Sequence, residues 1–156
     1  MNSGNCSVAQ DTNYNCCNAL SRRQVRSVYL ITYSRARADI IASRAAFAEV
    51  IVEAFKNADQ KISNRVLQWV CSEERHRDGG IHYHMAVKLE RNRRWLKVRN
   101  HVDMKYGVKI NFSSYHANYY SAWKYATKDD TDFVQSEGHP DLGNVHQTQQ
   151  ASRARA

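Results

Sequence analysis

Two kinds of periodicity alternate along the chain and predict an α+β domain, a central antiparallel sheet with helices packed on one face. Val28 to Tyr33 is a β-branched and aromatic run suited to a buried strand. In Ile81 to Leu89 every odd residue is apolar, while His82, His84, Ala86 and Lys88 fall on the opposite face. Between these runs Ile40, Phe47, Ile51, Ala54, Phe55 and Ala58 recur at helical spacing. With 156 residues, 42% of them hydrophobic, the composition is that of one globular domain rather than a disordered or fibrous chain.

The remaining elements follow in order. Arg65 to Glu74 is predicted as a second strand, with Leu67, Trp69 and Cys71 pointing one way and Val66, Gln68, Val70, Ser72 and Glu74 the other. Arg75 to Gly80 supplies the turn of a hairpin into the histidine strand. Arg91 to Tyr106 is basic, with a helical stripe of Trp95, Val98, Val102 and Tyr106. Val108, Ile110 and Phe112 then alternate as another strand, which in a continuous sheet puts Lys109, Asn111 and Ser113 on the histidine side. Tyr115 to Lys128 is predicted as a helix, with Tyr115, Tyr119, Ala122 and Ala126 along its core stripe. Residues 1–26 read as a flexible basic arm ending in Arg22, Arg23 and Arg26, residues 27–132 as the folded domain, and residues 133–156 as a tail or linker toward an absent downstream domain.

The formal charge of +8 favours polyanionic partners. The longest apolar runs fall far short of the ~20 residues that span a bilayer, so no membrane partner is expected. The Asn- and Ser-rich start lacks the pattern of a secretory signal, which reads as an intracellular protein. Cys6, Cys16, Cys17 and Cys71 show no zinc-finger or disulfide spacing.

The polar sheet face carries the chemistry. His82 and His84, two residues apart on one strand, project both imidazoles from one face. The hairpin returns Glu74 beside them, which makes a two-histidine, one-carboxylate site with open positions. Such a donor set fits catalytic zinc, non-haem iron, or an octahedral ion such as Mn²⁺ or Mg²⁺. Tyr125 and Lys128, one helical turn apart, would set a phenol beside an ammonium. Tyr119 and Tyr120 are rotated from Tyr125 by roughly 240° and 140°, which favours a single nucleophile.

Together these elements resemble the HUH endonuclease family, the replication initiators (Rep) of geminiviruses and circoviruses and related eukaryotic transposon proteins. Val70 to His84 resembles the second motif of that family, including the turn Glu74-Arg75-His76-Arg77-Asp78-Gly79 and the step from the metal-binding Glu to the first His. Leu30-Ile31-Thr32-Tyr33 resembles the first motif and Tyr125-Ala126-Thr127-Lys128-Asp129 the third, in family order. Ile81 stands where Pro often precedes the first His, and no helicase domain follows as it does in the viral proteins.

The resemblance implies an RRM- or ferredoxin-like HUH fold and metal-dependent nicking and joining of single-stranded DNA at an origin, transposon end or hairpin. It implies a covalent 5′-phosphotyrosine intermediate on Tyr125 and action in the nucleus, in rolling-circle-type replication or transposition. Glu74, His82 and His84 would hold Mn²⁺ or Mg²⁺, with Asp129 a further candidate ligand, and Lys128 would assist Tyr125. Arg91, Arg93, Arg94, Lys97 and Arg99, with Lys88 and Lys109 on the site face, are the expected DNA contacts. A helicase domain in a longer protein is a further expectation. Two other readings compete: a non-catalytic single-stranded nucleic-acid binding module, which leaves Glu74, His82 and His84 unexplained, and a zinc hydrolase, which gives Tyr125 no role.

Overall fold

A computed structural model describes residues 24–143 of the chain. The cysteines at 6, 16 and 17, Arg22 and Arg23, and the end of the tail from 144 lie outside the described residues. Eight elements follow one another: β1 (Val25–Tyr33), α1 (Arg44–Asn57), β2 (Val66–Arg75), β3 (Ile81–Arg94), α2 (Leu96–Tyr106), β4 (Asn111–Ser113), α3 (Tyr119–Thr127) and β5 (Val134–Gln135). The five strands form one antiparallel sheet in the order β4-β1-β3-β2-β5. The fold is α+β, as the two periodicities predict. No helix among the described residues is long and apolar enough to cross a membrane.

Local chemistry sets the boundaries. Ser43 caps α1 by accepting the Ala46 amide at 3.1 Å, and Asn118 caps α3 by accepting that of Ser121 at 2.9 Å. Gly107 ends α2 at φ 66°, where a side chain would be strained, and its amide closes onto the Asp103 carbonyl. In the β2–β3 turn Gly79 takes φ 84°, and Asp78 accepts the Gly80 amide at 2.8 Å. That turn fixes the register Glu74↔His82 and Ser72↔His84.

The main core fills the face holding Tyr29, Ile31, Tyr33, Cys71, Tyr83, Met85 and Val87, covered by α1 and α2. Phe47 of α1 stacks on Tyr83 at 5.7 Å. Burying each such ring stabilises the fold by about 1.5–3 kcal/mol. The expectation of helices on one face holds for α1 and α2, whereas α3 packs on the other. There Val28, Leu30, Val70 and Ala86 make a second apolar patch, and Tyr119, Ala122 and Ala126 cover it. The histidine face is therefore half apolar, and its polar half lies beside the carboxyl end of α3.

Three further readings are corrected. A β-bulge between Val66 and Gln68 reverses the side-chain alternation, so Val66 packs on the main core while Leu67 is exposed. Tyr115 lies outside α3 and is 77% exposed, because the helix starts only after the Asn118 cap. Order extends past both expected boundaries: Arg26 pairs with Arg93 in the sheet, and β5 pairs with β2 through Val70↔Gln135 and Cys71↔Val134. Phe133 and Leu142 pack against the second core, and the Tyr119 hydroxyl meets His139 at 2.6 Å. A chain ended after Asp132 is thus expected to unfold at clearly lower urea concentration than the full chain, and an unchanged midpoint would show β5 to be dispensable.

Candidate active site

Sheet pairing lines up one residue per strand on the face that carries α3: Asn111, Thr32, His84 and Ser72, from β4 across to β2. Glu74 and His82 form the adjoining cross-strand pair toward the hairpin. The Glu74 carboxylate lies 2.8 Å from Nε2 of His84, and the Thr32 hydroxyl is 3.2 Å from Nδ1. His84 is 5% exposed, and burial lowers its pKa despite the carboxylate beside it. Burial thus favours the neutral imidazole, the form that ligates metals. A hydroxyl both donates and accepts, so Thr32 satisfies Nδ1 in either tautomer and orients the ring. Burial pushes the pKa of Glu74 up, but the His84 hydrogen bond and nearby positive charge more than offset this, so it titrates below the ordinary carboxylate range.

The His82 ring packs against that of His76 at 3.8 Å between centroids, and burial lowers its pKa also. Among the described residues, no group of three His, Cys, Asp or Glu side chains stands assembled as a metal cage. The donor chemistry nonetheless suits a divalent ion: one carboxylate already against one imidazole, a second imidazole paired in register with that carboxylate, and Thr32 behind the first.

The carboxyl end of α3 brings the other group. The Tyr125 ring lies 6.4 Å from His84 and 5.3 Å from His116, and the Lys128 ammonium sits 4.3 Å from the Tyr125 ring centre. Tyr119 is at the other end of the helix, 6% exposed, and burial raises its hydroxyl pKa. The Tyr120 ring lies against Trp123. Asp129 lines a cleft of about 560 Å³ with Arg44, Glu73, Glu74 and Arg75, and its carboxylate is 3.9 Å from Lys128.

Several residues that position the site were given no role by sequence reasoning. The Ser72 hydroxyl donates to the Ala126 carbonyl, tying α3 to β2 one residue from Tyr125. Asp130 is 8% exposed and accepts from Arg44 at 2.7 and 3.2 Å and from the Glu73 amide at 2.7 Å. It fastens the turn after Lys128 to the strand that carries Glu74. Thr32 and Ser72 share the histidines' side of the sheet, so strand alternation held that signal. Arg44 and Asp130 are 86 residues apart in sequence, and no local pattern joins them.

The expected DNA contacts separate. Lys88 and Lys109 are exposed. Arg91 and Arg94 lie at the far end of β3, with Arg91 up to about 23 Å along the strand from His84. Lys97 bridges to Asp59 at 3.1 Å, and the Arg99 guanidinium lies 5.9 Å from the Trp95 ring centre. Arg93 departs from the expectation. Its side chain is buried, donates to the Ile62 carbonyl and pairs with Asp59, because β3 runs four residues beyond the predicted helix start and carries it inward. No protein-family model matches the chain, and no curated protein does.

Proposed function

We propose that the protein is a metal-dependent endonuclease and strand transferase of HUH type, which nicks and rejoins single-stranded DNA through a covalent 5′-phosphotyrosine on Tyr125. One observation carries this reading: Tyr125 and Lys128 share a sheet face with the Glu74–His84 pair, ring to ring with His84. A bare nucleic-acid binding surface does not call for a carboxylate locked to a buried imidazole beside a phenol. The motif resemblance supplies the reaction class.

In this reading Glu74, His82 and His84 hold a divalent ion, Mn²⁺ or Mg²⁺, with Asp129 within reach of the same cleft. When bound, that ion neutralises charge developing on a non-bridging oxygen of the scissile phosphate. The Tyr125 oxygen attacks phosphorus in line and loses its proton. The bond to the 3′ oxygen breaks, and that oxygen takes up a proton to leave as a hydroxyl. Lys128 sets positive charge beside the attacking ring, and on reversal beside the departing phenolate. The phosphodiester energy is kept in the tyrosine link, so an incoming 3′-hydroxyl reverses the step and joins strands. Origins, transposon ends or hairpins are the substrates this chemistry serves, in the nucleus, with a helicase as the natural companion activity.

The test is a denaturing gel of the full chain with a labelled single-stranded oligonucleotide pool. Mn²⁺ or Mg²⁺ is expected to support both cleavage and a covalent adduct, and EDTA to remove both. His82→Ala should lose at least about 10²-fold in metal-dependent activity while keeping its far-ultraviolet circular dichroism. Cleavage undiminished in EDTA would sink the metal site.

A further inference from the structure

We propose that Tyr115 and His116 form a stacking platform for a nucleobase that flanks the phosphate attacked by Tyr125, an inference that rests on the nicking reading. The Tyr115 ring is 77% exposed and so offers a π face to solvent, on a backbone anchored by its surroundings. Its amide donates to the Ser113 hydroxyl at 3.3 Å, fixing the turn that leaves β4. The next residue is anchored as well, with His116 Nδ1 2.7 Å from the Ser121 hydroxyl in the first turn of α3.

Those anchors build a continuous row of rings leading to the candidate chemistry. Tyr115 meets His116 edge to face at 5.3 Å, His116 meets Tyr125 at 5.3 Å, and Tyr125 meets His84 edge to face at 6.4 Å. Burial lowers the pKa of His116, which favours a neutral aromatic surface over a phosphate-binding cation. Tyr115, at the solvent end, is therefore two ring contacts from the nucleophile, and a base lying on it belongs to a nucleotide next to the attacked phosphate. Every base has a π face, so this contact adds affinity and alignment without sequence preference.

The experiment measures fluorescence anisotropy of a labelled 20-mer of thymidylate with the full chain over a series of salt concentrations. Tyr115→Ala is expected to weaken binding about 5- to 150-fold, the range for loss of one stacked base. Tyr115→Phe should restore it to within about twofold, since stacking uses the ring and not the hydroxyl. The salt dependence should keep its slope in both variants, because no phosphate contact is lost. Wild-type affinity in Tyr115→Ala, or a slope that falls with it, overturns the platform while leaving the nicking reading untouched. Failure of the unaltered chain to bind the 20-mer, together with no adduct from the oligonucleotide pool, overturns both.

Discussion

Tyr125→Phe is expected to abolish the covalent protein–DNA adduct, by more than about 10³-fold, while leaving folding and DNA binding close to those of the unaltered chain. Only the hydroxyl is removed. The ring keeps its contacts with His116 and the Lys128 ammonium, and its contact with His84, which ties the end of α3 to the sheet. A free energy of unfolding in urea within about 0.5 kcal/mol of the original is therefore expected. Mass spectrometry of the trapped species should find the 5′ phosphate on Tyr125. Finding it on Tyr120 would reassign the nucleophile within the same family of mechanisms. Strands cut with no adduct at all would make water the nucleophile and favour a metallohydrolase.

Asp130→Ala is expected to cost about 1.5–3 kcal/mol of stability, the scale for losing charge-assisted hydrogen bonds at a partly buried site where Arg44 keeps Glu73 as a second anion. The carboxylate serves four donors: two on Arg44 and the amides of Glu73 and Asp132. Its loss leaves the Arg44 guanidinium, half-enclosed beside Glu73, without its closest anion. Burial raises the Asp130 pKa, but Arg44 and the two amides outweigh it, so the folded value lies below the unfolded one. The contribution is thus present in full above the unfolded carboxylate range and is lost as pH falls through the folded value. Urea midpoints of the two proteins should differ most near neutrality and converge below about pH 4. A constant gap across that range would show that the charge is not what stabilises the turn.

What could be read from sequence depended on how local the governing physics is. Ile81 to Leu89 announced its register because one face of that segment is wholly apolar, and the Asp78-Gly79-Gly80 turn fixed how Glu74 returns to His82. Both are effects within one hairpin. The fold of residues 66–68 was hidden, since a bulge inverts alternation without altering composition. The placement of α3 was hidden too. Val28, Leu30, Val70 and Ala86 look like ordinary interior strand residues, and only pairing the strands shows that they form a patch on the histidine face. Arg93 misled for the opposite reason: an Arg in a basic run is normally solvated, and the Ile62 carbonyl and the Asp59 carboxylate, both from the loop after α1, make its burial tolerable. Asp130 and β5 act through contacts with β2 that span more than 50 residues.

Those contacts along β2 also bear on how the protein behaves in a crowded solution. A ten-residue strand near the rim of a sheet is a template on which a second chain can add, and proteins that leave such a rim open tend to form fibres or swapped dimers. Here the outward amides of alternate residues are occupied from within the same molecule: Trp69 by the Ser136 hydroxyl, Glu73 by the Asp130 carboxylate, with Cys71 between them opposite Val134. A strand of only two residues and two side chains do what a full extra strand would otherwise do. At the other rim β4 offers three residues, too few to seed an intermolecular ladder. The same short segment that closes the fold therefore also occupies the strand edge on which a second copy could add.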